Sequence, residues 1–220
     1  MHKTLENLAY IQNEIKSKII ELNFKDYNPE IIAISKTFNI EHIKPLINYG
    51  HIHFGENKVQ EALEKWSELK NKNNQIKLHM VGKLQRNKVK QALKIFDFIH
   101  SIDNIKLAKK ISEEQKENNQ KPKIFIQINI ANEIQKSGIN KKDLKFFCND
   151  CKNLNLDVIG IMCLPPDDNK SEIYFSEMEQ LSKSSGLSKI SMGMSNDYLN
   201  AIKYSSTFLR IGSKIFGPRA

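Results

Sequence analysis

A lysine at the end of a short apolar run is the first residue whose setting could support chemistry. Residues 31–34 read Ile-Ile-Ala-Ile, and Ser35, Lys36 and Thr37 follow directly. A continuous apolar run of this length is typical of a strand that is buried on both faces. A desolvated lysine loses its proton more easily, and a neutral amine can form a Schiff base with a carbonyl. This stretch alone also fits a lysine that is only a solvated charge.

Two later segments combine hydroxyl groups with small residues. Residues 191–195 read Ser-Met-Gly-Met-Ser, and residues 210–213 read Arg-Ile-Gly-Ser; each segment ends an apolar run and precedes a helical pattern. Hydroxyls, glycine-flanked amides and a helix N-terminus are the groups that hold a phosphate. The alternative is that the small residues only permit tight turns.

A reactive lysine and a phosphate cradle together fit two kinds of chemistry. Pyridoxal 5'-phosphate (PLP) offers an aldehyde to the lysine and a phosphate to the cradle. An aldolase or transaldolase that forms a lysine Schiff base with a sugar phosphate has the same needs. Such enzymes usually also need an acid–base group, and Glu56 is the acidic residue that stands out at a strand end.

The cysteines and two closely spaced histidines are expected to be structural. Cys148 and Cys151 have C-x-x-C spacing, but they lie in a helical apolar pattern with no second ligand pair nearby. With Cys163 the total is three, which gives no disulfide framework. His51 and His53 alternate on a predicted strand without a carboxylate or third ligand in register, so no metal site is expected there.

The elements that must position these groups alternate between strands and helices. After an amphipathic helix over residues 5–22, apolar segments predict strands at 31–34, 51–54, 77–81, 97–100, 124–130, 158–162, 188–190 and 207–211. Alternation with helical patterns predicts parallel strands and crossover helices. Eight such units in 220 residues favour a (β/α)8 TIM-type barrel, with a doubly wound open sheet as the alternative. No linker is evident, so we expect a single domain over residues 1–220.

In such a barrel the active site forms at the C-terminal ends of the strands, and phosphate often binds after strands seven and eight. Residues at the predicted strand ends are Lys36, Asn57, Gly82 with Lys83, Ser101, Asn129, Met162, Ser195, and Arg210 with Gly212. The two candidate phosphate segments fall in the loops where a barrel would use them.

Composition excludes several classes of protein. No apolar run is long enough for a membrane span and no apolar signal core follows Met1, so a cytoplasmic protein without membrane association is expected.

The net charge of +9 could indicate a nucleic-acid or anionic partner. The lysines are spread along the chain, however, and only residues 83–94 are densely basic. No nucleic-acid-binding module pattern is present, so nucleic-acid binding is not expected.

Short segments that resemble those of a known protein family occur in order along almost the whole chain. They are 33–37 (Ala-Ile-Ser-Lys-Thr), 54–57 (Phe-Gly-Glu-Asn), 79–82 (His-Met-Val-Gly), 101–103 (Ser-Ile-Asp), 127–129 (Gln-Ile-Asn), 136–138 (Lys-Ser-Gly), 160–162 (Gly-Ile-Met), 187–195, 210–212 (Arg-Ile-Gly) and 215–217 (Ile-Phe-Gly). In these segments the chain resembles the pyridoxal phosphate homeostasis protein family. Its members are single-domain, fold type III PLP barrels related to the N-terminal domain of alanine racemase.

The resemblance implies a cofactor-binding set made of Lys36, Asn57, Lys136, Met194, Ser195, Arg210, Gly212 and Ser213. In this set Lys36 forms the internal Schiff base with PLP, while Ser195, Gly212 and Ser213 hold the phosphate. Arg210 approaches the pyridine nitrogen. A cation there cannot favour a protonated ring nitrogen, so the ring is a weaker electron sink than in aminotransferases.

The function that the resemblance implies is PLP binding in intracellular PLP homeostasis, with effects on amino- and keto-acid pools. Racemisation needs proton donors on both faces of the substrate, and Lys36 is the one evident donor. The chain is also too short for the second domain of alanine racemase, so efficient turnover is not expected. A PLP-dependent racemase or lyase with an unidentified substrate is the alternative. PLP-dependent apoenzymes are candidate recipients, and we expect a monomer or weak dimer.

Overall fold

The structure, a computed structural model, describes residues 2–218. Its centre is a closed barrel of eight parallel strands. The strands are β1 Glu30–Ile34, β2 His53–Glu56, β3 Lys77–Met80, β4 Phe98–Ile102, β5 Lys123–Ile128, β6 Asp157–Cys163, β7 Lys189–Met194 and β8 Phe208–Ile211. Each strand pairs with its neighbours in chain order, and β8 closes on β1. The predicted barrel is confirmed, and the open-sheet alternative is wrong.

Helices cover the outside of the barrel. Within residues 2–218 they are α1 Lys3–Glu21, α2 Ile40–Asn48, α3 Val59–Lys72, α4 Val89–Leu93, α5 Ile105–Asn118, α6 Leu144–Asn153, α7 Ser171–Ser185, α8 Tyr198–Lys203 and α9 Ser213–Phe216. Short 3-10 turns at Arg86–Lys88 and Lys141–Asp143 lead into α4 and α6. The extra N-terminal helix α1 buries a stripe of Leu8, Ile11 and Ile15, as its apolar spacing predicts.

Alternating side chains along each strand divide the apolar core into two parts. Outward-facing residues such as Ile31 and Ala33 pack beneath the helices. Inward-facing residues fill the barrel, and the apolar ones are Ile32, Ile34, Phe98, Phe125, Met162 and Phe208. The barrel interior is therefore a packed core and not a pore, and in this fold a site forms at the C-terminal ends of the strands.

Most strand boundaries differ by a few residues from the sequence-based expectations, and two differences concern residues with possible roles. The cap of the helix that follows β4 is Asn104 and not the preceding Asp103; the Asn104 side chain accepts a hydrogen bond from the amide of Leu107 at 2.9 Å. Asp103 instead accepts from the amide of Gly138 at 3.3 Å, which ties together the loops after β4 and β5. The second strand begins at His53, so His51 lies before it rather than in it.

Histidines occupy part of the barrel interior beside the phenylalanines. The ring of His79 stacks on Phe98 and that of His100 on Phe125, with centroids 4.2 Å apart in each pair. Burial lowers the pKa of His53 to about 4 and holds the pKa values of His79 and His100 well below their ordinary value. These three histidines are therefore neutral at neutral pH.

We expect folding stability to fall as the pH drops from about 6.5 towards 4. An unfolded histidine titrates near 6.5 and these histidines titrate lower when folded, so the unfolded state binds more protons in this range. Their contribution is complete above the unfolded pKa and is lost as the pH falls. Linkage gives about 1 kcal/mol for each histidine between pH 7.5 and 5.5. Urea unfolding at the two pH values measures this difference.

The exposed residue His42 provides a matched control. His42→Gln should leave the pH dependence unchanged, whereas His79→Gln should reduce it. An identical pH dependence in wild type and His79→Gln would contradict the assignment of this effect to the buried histidines.

Candidate functional site

A cavity of about 480 Å³ opens at the C-terminal end of the barrel. Seven of the eight residues in the predicted cofactor-binding set line it, namely Lys36, Asn57, Met194, Ser195, Arg210, Gly212 and Ser213. Apolar walls come from Ile34 and Val81. Its volume is within the range of small-molecule sites, and its lining combines apolar walls with a few convergent polar groups.

Closure of the sheet brings the C-terminal ends of the first and last strands together at this cavity. Strand β1 pairs with β8 in a register that places Ile32 opposite Arg210 and Ala33 opposite Ile211. The residues that follow each strand, Lys36 and Gly212, consequently border the same space. Gly212 also lies close to β1, since a β-carbon on it would stand 3.2 Å from the Cβ of Ile34.

Hydrogen bonds on both sides hold the turn that carries Lys36. The Ser35 amide donates to the carbonyl of Gly55 at 3.0 Å, and the Ser35 hydroxyl donates to Glu56 at 2.7 Å. On the other side, the Thr37 amide donates to Glu61 at 2.6 Å. Thr37 has a φ of +68°, a left-handed conformation that is rare for a β-branched residue. Such a conformation persists only where its surroundings impose it.

A cluster on the outer side of β2 supplies these contacts, and we call it the Glu56 clamp: Glu56, Glu61, Lys65 and Trp66, of which Glu56 and Trp66 are fully buried. The Lys65 ammonium donates to Glu56 at 3.0 Å, to Glu61 at 2.9 Å and to the Ser35 carbonyl at 2.9 Å. The Trp66 indole donates to Glu56 at 2.9 Å. Burial raises the pKa of Glu56, while the Lys65 charge opposes that shift.

The position of Glu56 bears on the aldolase alternative. Its carboxyl group is fully buried in the clamp and is not among the groups that line the cavity. The acidic residue that stands out in the sequence therefore supports the lysine turn. It is not placed to exchange protons with a molecule in the cavity.

Two backbone amides that follow β8 converge on one hydroxyl at the cavity. The amides of Gly212 and Lys214 donate to the Ser195 hydroxyl at 3.3 and 3.4 Å. The loop after β7 is held by Asp197, which accepts from the Met194 amide at 2.6 Å. Gly193 reaches this loop with a φ of +87°, and a β-carbon there would meet Ala201 at 2.6 Å. Amides that point at one oxygen suit the oxygens of a phosphate group.

Arg210 provides a cation that is buried at the cavity. The residue is 4% exposed and lines the pocket. Its Nη1 donates to the Ser191 hydroxyl at 2.7 Å, and its Nη2 donates to the carbonyl of Cys163 at 2.8 Å. Both of these acceptors are neutral, and the carboxyl group of Asp197, which also lines the cavity, is an acidic group whose charge acts on the guanidinium.

Lys136 is the one residue of the predicted set that does not line the cavity. It is exposed in the loop after β5 and pairs with Glu133 at 2.6 Å. Asn129, at the end of β5, closes the same loop by donating to the Glu133 carbonyl at 2.7 Å. The predicted cofactor role of Lys136 stays a prediction.

The loop after β6 supplies lining residues that sequence reasoning did not assign, including Leu164, Pro165 and Pro166. The Pro-Pro pair marks a loop in the sequence, but its direction over the cavity depends on tertiary structure. Leu164 and Met194 are 37% and 36% exposed, so the cavity mouth is partly apolar and open to solvent.

The chemistry of the cavity comes from an amine, hydroxyls, converging amides and a guanidinium. Within residues 2–218, no three His, Cys, Asp or Glu side chains cluster so that they could hold a metal ion. No helix in the same range combines the length and apolarity needed to cross a bilayer. The groups at the cavity suit an anionic molecule that also carries a carbonyl.

Comparisons with known proteins find relatives by sequence and by structure. Residues 13–220 match the family described as alanine racemase, N-terminal domain. The chain is 34% identical to the pyridoxal phosphate homeostasis protein of Haemophilus influenzae, over 97% of this chain and 94% of that protein. It is 29% identical to PipY of Synechococcus elongatus, whose structures with and without bound PLP have TM-scores of 0.79 and 0.80 and are covered over their full length by 92% of this chain. Alanine racemase of Clostridium difficile shares the fold at 16% identity and a TM-score of 0.72, with 57% of its length covered.

Replacing Lys65 with methionine should destabilise the fold by about 3 kcal/mol, because a buried ion pair would lose one partner. The Thr37 amide should also exchange with solvent faster, since the clamp would no longer hold Glu61 in place. Urea unfolding and hydrogen exchange measure the two effects.

Lys72 is a matched control, because it pairs with Glu68 at 2.6 Å on the exposed side of α3. Lys72→Met should change stability by less than about 1 kcal/mol. Equal losses in the two variants, with unchanged exchange at Thr37, would refute the clamp.

Proposed function

The chain belongs to the pyridoxal phosphate homeostasis protein family, and on that premise we propose that it binds PLP in this cavity through a Schiff base on Lys36. We further propose that it acts within the cell to carry and buffer PLP, with effects on amino- and keto-acid pools. The observation that carries the proposal is the position of one amine and one set of converging amides at a single cavity.

The residues present fit the chemistry of PLP. Lys36 offers the amine that an aldehyde needs. Ser195, Gly212 and Ser213 offer hydroxyls and amides for a phosphate. Arg210 would face the ring as a cation. When bound, PLP supplies an electron sink, and a cationic partner on its ring nitrogen weakens that sink.

Turnover of amino acids would require a second proton donor across the cavity from Lys36. Within residues 2–218, no tyrosine, histidine or cysteine lines the cavity. Asp197 does line it, but one of its oxygens accepts from the Met194 amide. These features support a protein that binds PLP without efficient turnover.

An open mouth suits a protein that releases its cofactor to others. Leu164 and Met194 border the cavity and are each more than a third exposed. We propose that PLP passes through this mouth to PLP-dependent apoenzymes.

Adding PLP to the wild-type chain should produce a visible absorption band that borohydride reduction makes permanent. Lys36→Ala should not produce the band, because no amine would remain at that position to bond to the aldehyde. Absorption spectra before and after reduction test this directly.

Lys83→Ala is the matched control for this experiment, since Lys83 is an exposed lysine that follows another strand of the barrel. It should keep the band. A wild-type chain that stays colourless, or a Lys36→Ala chain that gives the full band, would contradict the proposed attachment. A colourless wild type would favour the sugar-phosphate alternative.

Amino acids incubated with the PLP-loaded chain in deuterated water should exchange their α-protons no faster than with free PLP. The reason is that Lys36 alone would serve both faces of the substrate. Nuclear magnetic resonance of a panel of amino acids measures the exchange. Rapid exchange of any one of them would establish a racemase or lyase instead.

A further inference from the structure

A line of hydrogen-bonded side chains crosses the interior of the barrel and ends at Arg210. It runs from His53 through His79 and His100 to Ser191. The Nδ1 of His53 lies 2.9 Å from the Nε2 of His79, and the Nδ1 of His79 lies 2.9 Å from the Nε2 of His100. The Nδ1 of His100 lies 3.0 Å from the Ser191 hydroxyl, which accepts from Arg210 at 2.7 Å. We call this line the histidine chain.

Strand register makes the histidine chain climb through the barrel. On β2 and β3, His53 pairs with Lys77, whereas His79 lies at the level of Gly55, two residues further along. On β4 the residue opposite His79 is Phe98, two residues before His100. Each histidine is thus one inward-facing position nearer the cavity than the last. Nothing in the local sequence of a single strand reveals this alignment.

Arg210 determines the direction of every hydrogen bond in the histidine chain. A guanidinium can only donate, so Ser191 must accept from it. Within residues 2–218 the other partner of the Ser191 hydroxyl is the Nδ1 of His100, so the buried serine hydrogen has an acceptor only if it is donated to that nitrogen. A neutral imidazole carries one hydrogen, so that of His100 lies on Nε2 and points at His79. By the same argument, the Nδ1 of His79 accepts from His100 and the Nδ1 of His53 accepts from His79, so each of these rings carries its hydrogen on Nε2.

The far end of the histidine chain favours the same direction. The Nε2 of His53, which then carries a hydrogen, lies 3.8 Å from the carboxylate of Glu30 at the opposite end of the barrel. A guanidinium at one end and a carboxylate at the other thus orient the hydrogens alike. Burial keeps the histidines neutral, so each ring has a single hydrogen to place.

We propose that Ser191, His100, His79 and His53 form a positioning chain that holds the Arg210 guanidinium at the cofactor pocket through neutral acceptors. Its histidines are all Nε2-protonated, and its hydrogens all point away from Arg210. Ser191 and the Cys163 carbonyl carry no charge, so the groups that hold the guanidinium in place do not form an ion pair with it. The link to the cofactor rests on the function proposed above, whereas the direction of the hydrogens does not.

Nitrogen-15 spectroscopy of the chain without PLP tests the direction of the hydrogens. With histidine labelled on both ring nitrogens, His53, His79 and His100 should each carry their hydrogen on Nε2 at neutral pH. Ser191→Ala should release this preference, first at His100. Ser206→Ala is the matched control, since Ser206 is also fully buried and its hydroxyl donates to the Met192 carbonyl at 2.7 Å. It should change none of the three.

Wild-type protein alone can overturn the proposal, so the test does not depend on how well Ser191→Ala folds. A hydrogen on the Nδ1 of His100 would exclude a chain whose hydrogens point away from Arg210. Unchanged tautomers in a folded Ser191→Ala variant would show that Arg210 does not impose the direction through Ser191.

The PLP-loaded chain tests whether the arginine is positioned for the cofactor. Ser191→Ala should speed PLP release roughly tenfold, as expected for loss of one hydrogen bond to a charged group, and should shift the pH midpoint of the visible band. Ser206→Ala should do neither. If wild type forms no band, the proposed function fails while the tautomer result stands. If wild type forms the band and Ser191→Ala alters neither release nor midpoint, the positioning role is refuted.

Discussion

The hydrogen-bonded seam between β1 and β8 is the constraint on which the site depends. It pairs Ile32 with Arg210 across more than three quarters of the chain. Parallel pairing sends both strands towards the same end of the barrel, so the lysine after β1 and the glycine after β8 border one cavity. Without closure, the amine and the converging amides would be separate features of two remote segments.

Two supports, one on each side of the sheet, hold the cationic residues of the cavity. The turn that carries Lys36 is fixed from outside the barrel by the Glu56 clamp, where Lys65 pairs with both Glu56 and Glu61. Arg210 is held from inside the barrel by Ser191 and a backbone carbonyl. This division places carboxylates where they stabilise the turn, and it leaves neutral partners on the arginine that faces the pocket.

Much of this architecture follows from sequence patterns, because alternation of strands and helices is a local property. The apolar run before Lys36 and the small residues after β7 and β8 identify the cavity before its shape is known. The missing parts depend on tertiary geometry. The histidine chain requires the register between β2, β3 and β4, and the contribution of Pro165 requires the direction of a loop. Glu56 is the acidic group that stands out in the sequence, but the side of the sheet it faces depends on where β2 begins.

Locating the bound cofactor on the chain tests most directly whether PLP is attached at the end of β1. The PLP-loaded protein would be reduced with borohydride and digested, and the modified lysine would be identified by mass spectrometry. We expect a stoichiometric PLP adduct on Lys36 alone, although the chain is rich in lysine. An adduct spread over exposed lysines, or a stoichiometric adduct elsewhere, would contradict a cofactor site at the end of β1.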